Sequence, residues 1–278
     1  MKKLIAVLAI TIAVHAQAQK VVSKAIVTTK TEMEFPEQNQ PAGGDDGGNR
    51  MMMPRDMEMT STIFFKDDQT KVETSSDFGK NYVFIDRKAK KTTTLMEVMG
   101  KKQGFWSSDQ DQANMQKRMD SVRAARADSL KQLGITFAPP AEPEITYTEE
   151  KKKIAGMECK KAIIKTKNQR GEVNETAVWY TPEFVMAEGF SLTNQGSGGM
   201  RMMGFNPSGI EKIKGFPMEY EIVRQNGMRI HMTVTKVQLD ANIDDKTFEI
   251  PKGYDIKPMS EMQNQGGRMM MRMGGGGN

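Results

Sequence analysis

Short segments in which apolar and polar residues alternate make up most of the chain from Val21 onward. Residues 21–33, VVSKAIVTTKTEM, are rich in β-branched side chains and predict a first strand. Four further strands are predicted, at Met57–Phe65, Thr70–Ser76, Asn81–Asp86 and Thr92–Met99. The connections between these four are only four or five residues long, whereas a parallel connection needs a crossover of about a dozen residues or more. The pattern therefore predicts an antiparallel meander.

The second half of the chain repeats this strand pattern. Its strand candidates are KKKIAG leading into ECKKAIIKTK, then ETAVWYT, PMEYEIVRQ, RIHMTVTKVQL and TFEIPKGYDI. Asn226 and Gly227 both tolerate the positive φ of a two-residue type I′ turn, so we expect Pro217–Gln225 to pair antiparallel with Met228–Val237. Together the two halves predict a mainly β fold built on an antiparallel sheet.

A single long segment, residues 108–134, has helical periodicity. Ser108 or Asp109 can cap its start, and Gly134 can end it. Its apolar stripe is incomplete, because Arg126 interrupts it. The stripe consists of Met115, Met119, Val122, Leu130 and Leu133. Such a helix either lies on the sheet with a moderately packed face or acts as a lid, and the local sequence does not choose between the two.

Methionine and glycine are concentrated in three segments without periodicity. They read GGNRMMMPRDMEM at 47–59, GGMRMMGFNP at 198–207 and GGRMMMRMGGGGN at 266–278, in a chain with 25 Met and one Cys. Glycine loses much backbone entropy on ordering, and these segments offer little apolar burial in return. We therefore expect disorder over residues 36–56, 194–204 and 260–278, which would serve as contact surfaces or tolerate oxidation of their thioethers.

The first eighteen residues predict a secretory signal peptide. They combine Lys2 and Lys3, a short apolar run from Leu4 to Val14, and small residues ending at Ala18. We expect cleavage after Ala18 and an exported product, periplasmic or secreted. The domain map is then a signal peptide at 1–18, a single β-rich domain at 19–257 with a disordered insertion at 36–56 and a helical insertion at 108–134, and a disordered tail at 258–278.

Charge and hydropathy exclude two classes of partner. Removing Lys2 and Lys3 lowers the count of Lys and Arg from 40 to 38, against 35 Asp and Glu, and the two signs are interleaved. Nucleic-acid binding has no support in this pattern. No segment after the leader is long and apolar enough to cross a bilayer, so we do not expect an integral membrane protein.

The sequence offers little for catalysis. His231 falls on the polar side of RIHMTVT, and Cys159 precedes an apolar strand and is expected to be a buried thiol. Asp244 and Asp245 are expected to end a turn rather than to bind a metal. Because a nucleophile needs an activating base within reach, and the mature chain has one histidine, we predict that the protein is not an enzyme and needs no cofactor.

Residues 57–106 and 145–257 resemble exported proteins of unknown function akin to the GLPGLI family, related to the periplasmic lipoprotein carriers and outer-membrane lipoprotein receptors. The more specific segments are GMECKKAIIKT and TFEIPKGY. The resemblance implies a curved antiparallel sheet, a half-closed barrel whose concave face is covered by helical segments. In the carriers that concavity holds lipid acyl chains, so the resemblance implies an apolar ligand or an envelope partner in the concave face.

Apolar residues on the strand faces are the candidates for lining this concavity. They are Ile63, Phe65, Val83, Ile85, Trp179, Ile230, Met232 and Val234. The same residues would also serve as ordinary core, since apolar strand faces are buried more often than they form a ligand cleft.

Two alternative functions stay open. Thioether sulfur is a soft ligand, and Met269, Met271 and Met273 could together hold Cu(I) or Ag(I). Arg268 and Arg272 oppose this, because they place positive charge beside the cation. The second alternative is a structural or adhesive envelope protein. The sequence leaves the oligomeric state open.

Overall fold

The computed structural model describes residues 19–36, 56–98, 100–132, 141–167, 171–187, 209–224 and 227–261. The predicted signal peptide lies outside these residues, as do most of the three segments predicted to be disordered and the tail methionines Met269, Met271 and Met273. Among the described residues of those segments, Pro36 lacks regular secondary structure as predicted, whereas Asp56 begins a strand and residues 260–261 are helical.

The described residues form fourteen strands and one long helix. The strands are β1 (Lys20–Val22), β2 (Lys24–Glu34), β3 (Asp56–Lys66), β4 (Gln69–Ser76), β5 (Gly79–Asp86), β6 (Lys91–Val98), β7 (Lys101–Ser108), β8 (Glu144–Ile154), β9 (Met157–Lys167), β10 (Val173–Thr181), β11 (Phe184–Met186), β12 (Phe216–Val223), β13 (Arg229–Leu239) and β14 (Asp255–Pro258). The helix α1 (Asp109–Gln132) follows β7 directly, and short 3-10 turns occur at Ile210–Lys212 and Asp245–Phe248.

Twelve of these strands form one open sheet, in the order β14-β7-β6-β5-β4-β3-β2-β13-β12-β10-β9-β8. All neighbours in it are antiparallel except β14, which runs parallel to β7. The antiparallel pairing of β3 with β4 and of β12 with β13 confirms both predicted pairings. A sheet with this many twisted strands curves, and this one remains open instead of closing into a barrel.

The connection between β12 and β13 is wider than the predicted two-residue turn. The Gly227 amide donates to the Arg224 carbonyl at 2.8 Å, and the Arg224 amide donates to the Met228 carbonyl at 2.9 Å. Three residues therefore lie between the paired residues Arg224 and Met228. Gly227 has φ 83°, the left-handed conformation that a three-residue hairpin loop requires at its last position.

Cross-strand register divides the sheet into two chemically different faces. Val27, Ile63, Val72 and Val83 are directly paired in that order across β2 to β5 and define what we call the inner face. All four are buried. The outer face carries the intervening residues of the same strands, such as Lys30, Phe64 and Lys71. The alternation seen in the sequence is thus the alternation between a core face and a polar face.

The two remaining strands cover part of the inner face. β1 and β11 pair in parallel as a separate two-stranded sheet. Val22 and Phe184 from these strands are fully buried, and the Phe184 ring stacks on that of Phe216 at a centroid distance of 4.8 Å. Ile210 and Ile213 pack against the inner face of β9 and β10. The inner face is therefore a packed core over much of its width.

The chain after β13 crosses the outer face, and we call residues 240–258 the C-terminal strap. Lys66 holds its start, because the Nζ atom donates to the Ile243 carbonyl at 3.0 Å and pairs with Asp245. Tyr254 packs on Tyr82 further along, and Ile256 lies on the outer face at Gly104, within β14. The segment TFEIPKGY lies within this strap.

The first turn of helix α1 contacts the sheet. Gln112 Nε2 donates to Thr92 Oγ1 at 3.1 Å and to Ser107 Oγ at 3.4 Å, which places the first turn on the inner face. No residue of α1 is buried, and Met119 and Val122 are 56% and 65% exposed. The expectation of a helix lying on the sheet is therefore wrong, because the interrupted apolar stripe is too small to hold the helix against the sheet.

The two edges of the sheet are short or irregular. β14 has four residues, and the edge strand β8 has its register broken between Tyr147 and Lys151. The break is followed by three consecutive lysines, Lys151 to Lys153. Irregular, lysine-bearing edges are a known device against pairing with the strands of other molecules.

Candidate functional site

Seven of the eight predicted lining residues lie on the inner face. Six of them are buried, with exposures between 0% for Phe65 and 5% for Val83 and Met232, whereas Ile85 is only partly buried. Ile63, Val83, Met232 and Val234 pack in one cluster together with the strands that cover the inner face. The structure thus brings these residues together, and it places most of them in close-packed core.

Trp179 is the exception, because its cross-strand partners are outer-face residues, although its partly buried ring still packs against the core cluster that contains Met232 and Val234. It is paired with Glu219 and Lys161, and its ring faces Lys152 Nζ at 4.3 Å from the ring centroid. The neighbours Val178 and Tyr180 take the buried positions instead. In the segment AVWYT every residue except threonine is apolar, so composition did not reveal which of the two alternating sets of side chains faces the core.

One group of partly accessible apolar residues on the inner face lies on β5, β6 and β7. It consists of Ile85, Met96 and Phe105, one residue from each strand, and we call it the inner strip. All three are half-buried. The register separates them along the strands, because Ile85 pairs with Thr92, Phe105 pairs with Thr94, and Met96 pairs with Asn81. The strip borders the core at Val83 and the start of α1 at Thr92.

Polar atoms surround the inner strip. The Asn81 Oδ1 atom is buried and has no hydrogen-bond partner among the described residues. The hydroxyl-bearing residues Thr94 and Ser107 are 4% and 3% exposed. A buried amide oxygen without a donor carries a desolvation cost that a ligand hydroxyl or amide could relieve. The strip therefore combines apolar contact area with a polar group suited to orienting a ligand.

Sequence reasoning missed most of this strip. Met96 falls within a predicted strand, but its face depends on the pairing with Asn81, which only the register reveals. Phe105 lies in KKQGFWSS, which does not alternate clearly and was not predicted as a strand. Ile85 alone was among the predicted residues.

A second recess lies between the C-terminal strap and the outer face. It has a volume of about 230 Å³ and is lined by both polar and apolar side chains, including Gln69, Phe84, Asp86, Lys91, Phe248 and Ile250. Beside it, Lys71 Nζ lies 5.4 Å from the ring centroid of Phe84 and 2.7 Å from Glu73 Oε1. The lysine is thus neutralised within the protein and is not presented to a ligand.

The residues weighed for catalysis have ordinary surroundings. His231 is on the outer face, with Nδ1 3.5 Å from Glu32 Oε2 and Nε2 3.6 Å from Glu219 Oε1. Cys159 is fully buried, and burial raises the pKa of its thiol to about 11. Both positions confirm the predictions of a polar-face histidine and a buried thiol. A thiol that keeps its proton at neutral pH is not an effective nucleophile.

The acidic pair before the last 3-10 turn also has a structural role. The Asp244 side chain accepts a hydrogen bond from the Lys246 amide at 2.9 Å, and Asp245 pairs with Lys66. Within the described ranges, no group of three or more His, Cys, Asp or Glu side chains is placed to hold a metal ion. In the same part of the chain, no helix has the length and apolarity needed to span a membrane.

Part of the chain matches a known protein family. Residues 139–254 match the family described as a domain of unknown function, DUF4412. This match runs from the segment before β8 to the C-terminal strap, so it includes the motif segments GMECKKAIIKT and TFEIPKGY. No curated protein matches the chain significantly.

Three solved structures are similar in fold only. Two structures of PNGF-II, in different space groups, are each 15% identical to this chain, with TM-scores of 0.34 and 0.36. Both matches cover 87% of this chain, and they cover 33% and 32% of PNGF-II. The chain therefore spans about one third of the length of PNGF-II. A domain from Vibrio parahaemolyticus, named for outer membrane lipoprotein sorting, is 7% identical with a TM-score of 0.32, covering 82% of this chain and 89% of that one. Values this low assign neither a ligand nor an activity to this chain.

Proposed function

We propose that the protein is an exported, non-enzymatic binding protein of the cell envelope that holds an apolar ligand, such as an acyl chain, on the inner strip. The single observation that supports this role is the group of half-buried apolar residues Ile85, Met96 and Phe105 beside the packed core. Apolar side chains that the fold leaves partly accessible are a usual basis of an apolar binding site.

The polar groups beside the inner strip would orient the ligand. An acyl chain would lie along the inner strip, and a headgroup bearing a hydroxyl or an N–H group would approach Asn81. Because Asn81 Oδ1 is an acceptor, it favours a headgroup with an N–H or O–H donor over an ionised carboxylate. The start of α1, held by Gln112 over Thr92 and Ser107, closes one end of the strip.

The test places a charge on the strip without opening the core. In Ile85→Asp, a carboxylate facing an acyl chain must lose its water or keep the ligand out, so we expect at least a ~100-fold loss of affinity. Ser75→Asp, which adds the same charge to an exposed position on the outer face of β4, is the matched control. A position such as Ile230 is unsuitable, because it is 3% exposed and a charge there would unfold the protein.

Two measurements complete the experiment. The first is native mass spectrometry of protein purified from its own envelope, to detect a retained apolar molecule. The second is a fluorescence titration with N-phenyl-1-naphthylamine, an uncharged apolar probe with one N–H donor, using Phe105→Gln as a milder second variant whose fold is verified by circular dichroism. Equal affinity in Ile85→Asp and Ser75→Asp, or no binding by the unaltered protein in either measurement, would overturn the proposal and favour a structural or adhesive role.

A further inference from the structure

One end of the inner face is packed mainly with methionine. A cluster at the end of β2 and at the starts of β3 and β13 buries Met33, Met59, Met228 and Ile230, with Met57 packed against them. The cluster on β9 and β10, by contrast, has six buried residues and no methionine among them. Methionine is thus concentrated at this end and is not spread evenly through the core.

Side-chain volume alone does not explain why methionine, and not leucine, fills these positions. Leucine has a similar volume and is normally the commonest core residue, yet the chain has 25 Met and only seven Leu. Leucine would fill the same positions with fewer rotatable bonds to restrict. What methionine adds is a polarizable thioether sulfur.

The strand register brings the methionine side chains together. Met33 is directly opposite Met57 on β3 and opposite Ile230 on β13. Met59 follows Met57 by two residues, and Met228 precedes Ile230 by two, so all four side chains belong to the same face. Directly opposite residues have Cβ atoms about 5 Å apart, and three flexible torsions per side chain allow the sulfur atoms to converge.

The chemistry of this cluster selects one class of ligand. Thioethers are soft, uncharged donors that bind Cu(I) and Ag(I) and have little affinity for harder ions. Arg229, with its partner Glu221 at 3.2 Å, belongs to the outer face. Arg224 is opposite Met228 and by alternation lies on the inner side of β12, where β13 separates it from Met33 on β2 and from Met57 and Met59 on β3. Met57 is half-buried at the start of β3 and gives an ion access to the otherwise buried group.

We propose that Met33, Met57, Met59 and Met228 form a binding site for a single soft monovalent metal ion, Cu(I) or Ag(I). The site lies on β2, β3 and the connection into β13, apart from the inner strip on β5 to β7. Its test is therefore independent of apolar ligand binding. It also differs from the tail hypothesis based on Met269, Met271 and Met273, which uses other residues.

The experiment is an anaerobic titration of the full chain with Cu(I), in competition with bathocuproine disulfonate. The cluster variant carries Met33→Leu, Met57→Leu and Met59→Leu, which preserve volume and remove sulfur. The tail variant carries Met269→Leu, Met271→Leu and Met273→Leu, and serves as the matched control. Urea unfolding of each variant verifies that the fold is retained, and copper X-ray absorption identifies the donor atoms.

We expect one tightly bound Cu(I) per chain with sulfur-only ligation, at least ~100-fold weaker binding in the cluster variant, and unchanged binding in the tail variant. Loss of binding in the tail variant with retention in the cluster variant would overturn the proposal in favour of the tail. Absence of competitive binding by the unaltered chain would overturn it as well. If the cluster variant fails to fold, the single substitution Met57→Leu, at the half-buried position, gives the same comparison with an expected loss of ~10-fold or more.

Discussion

The Tyr254 ring meets the Tyr82 ring edge to face, with centroids 6.4 Å apart and an interplanar angle of 82°. This contact fastens the C-terminal strap to β5, and burial raises the pKa of both phenols. The strap is also attached by the ion pair between Lys66 and Asp245 and by the pairing of β14 with β7.

Replacing Tyr254 should release the end of the strap. We expect Tyr254→Leu to lower the free energy of unfolding by about 0.5–1.5 kcal/mol, the contribution of such a ring pair beyond its buried area. Hydrogen exchange should accelerate in β14 and the adjoining β7, and not in β2 or β13. Ile250→Ala, at a strap residue that is 42% exposed, is the control. Uniform acceleration across all strands would contradict a local role.

Gly104 is where β14 reaches the outer face. A Cβ atom there would lie 2.6 Å from Leu95 Cδ2 and 2.9 Å from the Thr94 carbonyl oxygen, with Ile256 Cγ1 at 3.4 Å. Gly104→Val should therefore destabilise the protein by about 1–3 kcal/mol through overpacking, measured by urea unfolding. Ala177→Val, at an exposed outer-face position of β10, should have little effect. An equally stable Gly104→Val protein would show that this contact adapts freely.

Cys159 should make stability depend on pH in the alkaline range. Burial raises the pKa of the thiol from its ordinary 9.0 to about 11. The unfolded chain loses this proton first, so the stabilisation is complete below pH 9 and is lost as pH rises toward 11, at about 1.4 kcal/mol per pH unit or less. Cys159→Ala should reduce the slope of unfolding free energy against pH in that window. The slope that Tyr220 contributes, with its pKa raised to about 12, should remain.

Helix α1 should lose helicity in acid because of its first turn. Asp111 Oδ2 accepts from the Ser108 hydroxyl at 2.6 Å and from the Ser108 amide at 2.8 Å, and the Ser108 side-chain bond, then the amide bond, lower the pKa of this carboxyl. This stabilisation is present above the ordinary pKa of Asp and is lost as pH falls through the lowered value. Far-UV circular dichroism should show the loss, and Asp111→Ala should reproduce it at neutral pH. Asp109→Ala, which removes a charge and no such bonds, should not.

The strands were predictable wherever the short turns and the alternation of apolar and polar residues indicated the same strand boundaries. The meander from β3 to β6 has short connections, of two, two and four residues in the structure, and clear period-two patterns, and its antiparallel pairing was confirmed. The positions of α1 and of the β12–β13 pair follow from similar local signals. In these segments, local propensity and tertiary structure agree.

The missed elements depend on distant contacts. β7 lacks clear alternation because Gly104 accommodates Ile256, a residue of β14 located 152 positions further along the chain. The parallel pairs β1–β11 and β7–β14 join segments with no local turn between them. The periodicity of a single sequence does not indicate which distant segments pair.

The candidate site was only partly predictable for the same reason. Apolar strand residues were recognised correctly, but burial by β1 and β11 decides which of them are core, as for Val234, and which stay accessible, as for Ile85. The orientation of Trp179 depends on a register shift between it and Tyr180. Neither property is encoded in residue type.

The edges of the sheet affect how the protein behaves at high concentration. A long, regular edge would offer unpaired amides and carbonyls as a template on which identical chains could polymerise into fibrils. β8 interrupts such a template with its shifted register, and Lys151 to Lys153 add electrostatic repulsion between copies. We therefore expect this twelve-stranded sheet to tolerate crowding in its compartment without seeding amyloid.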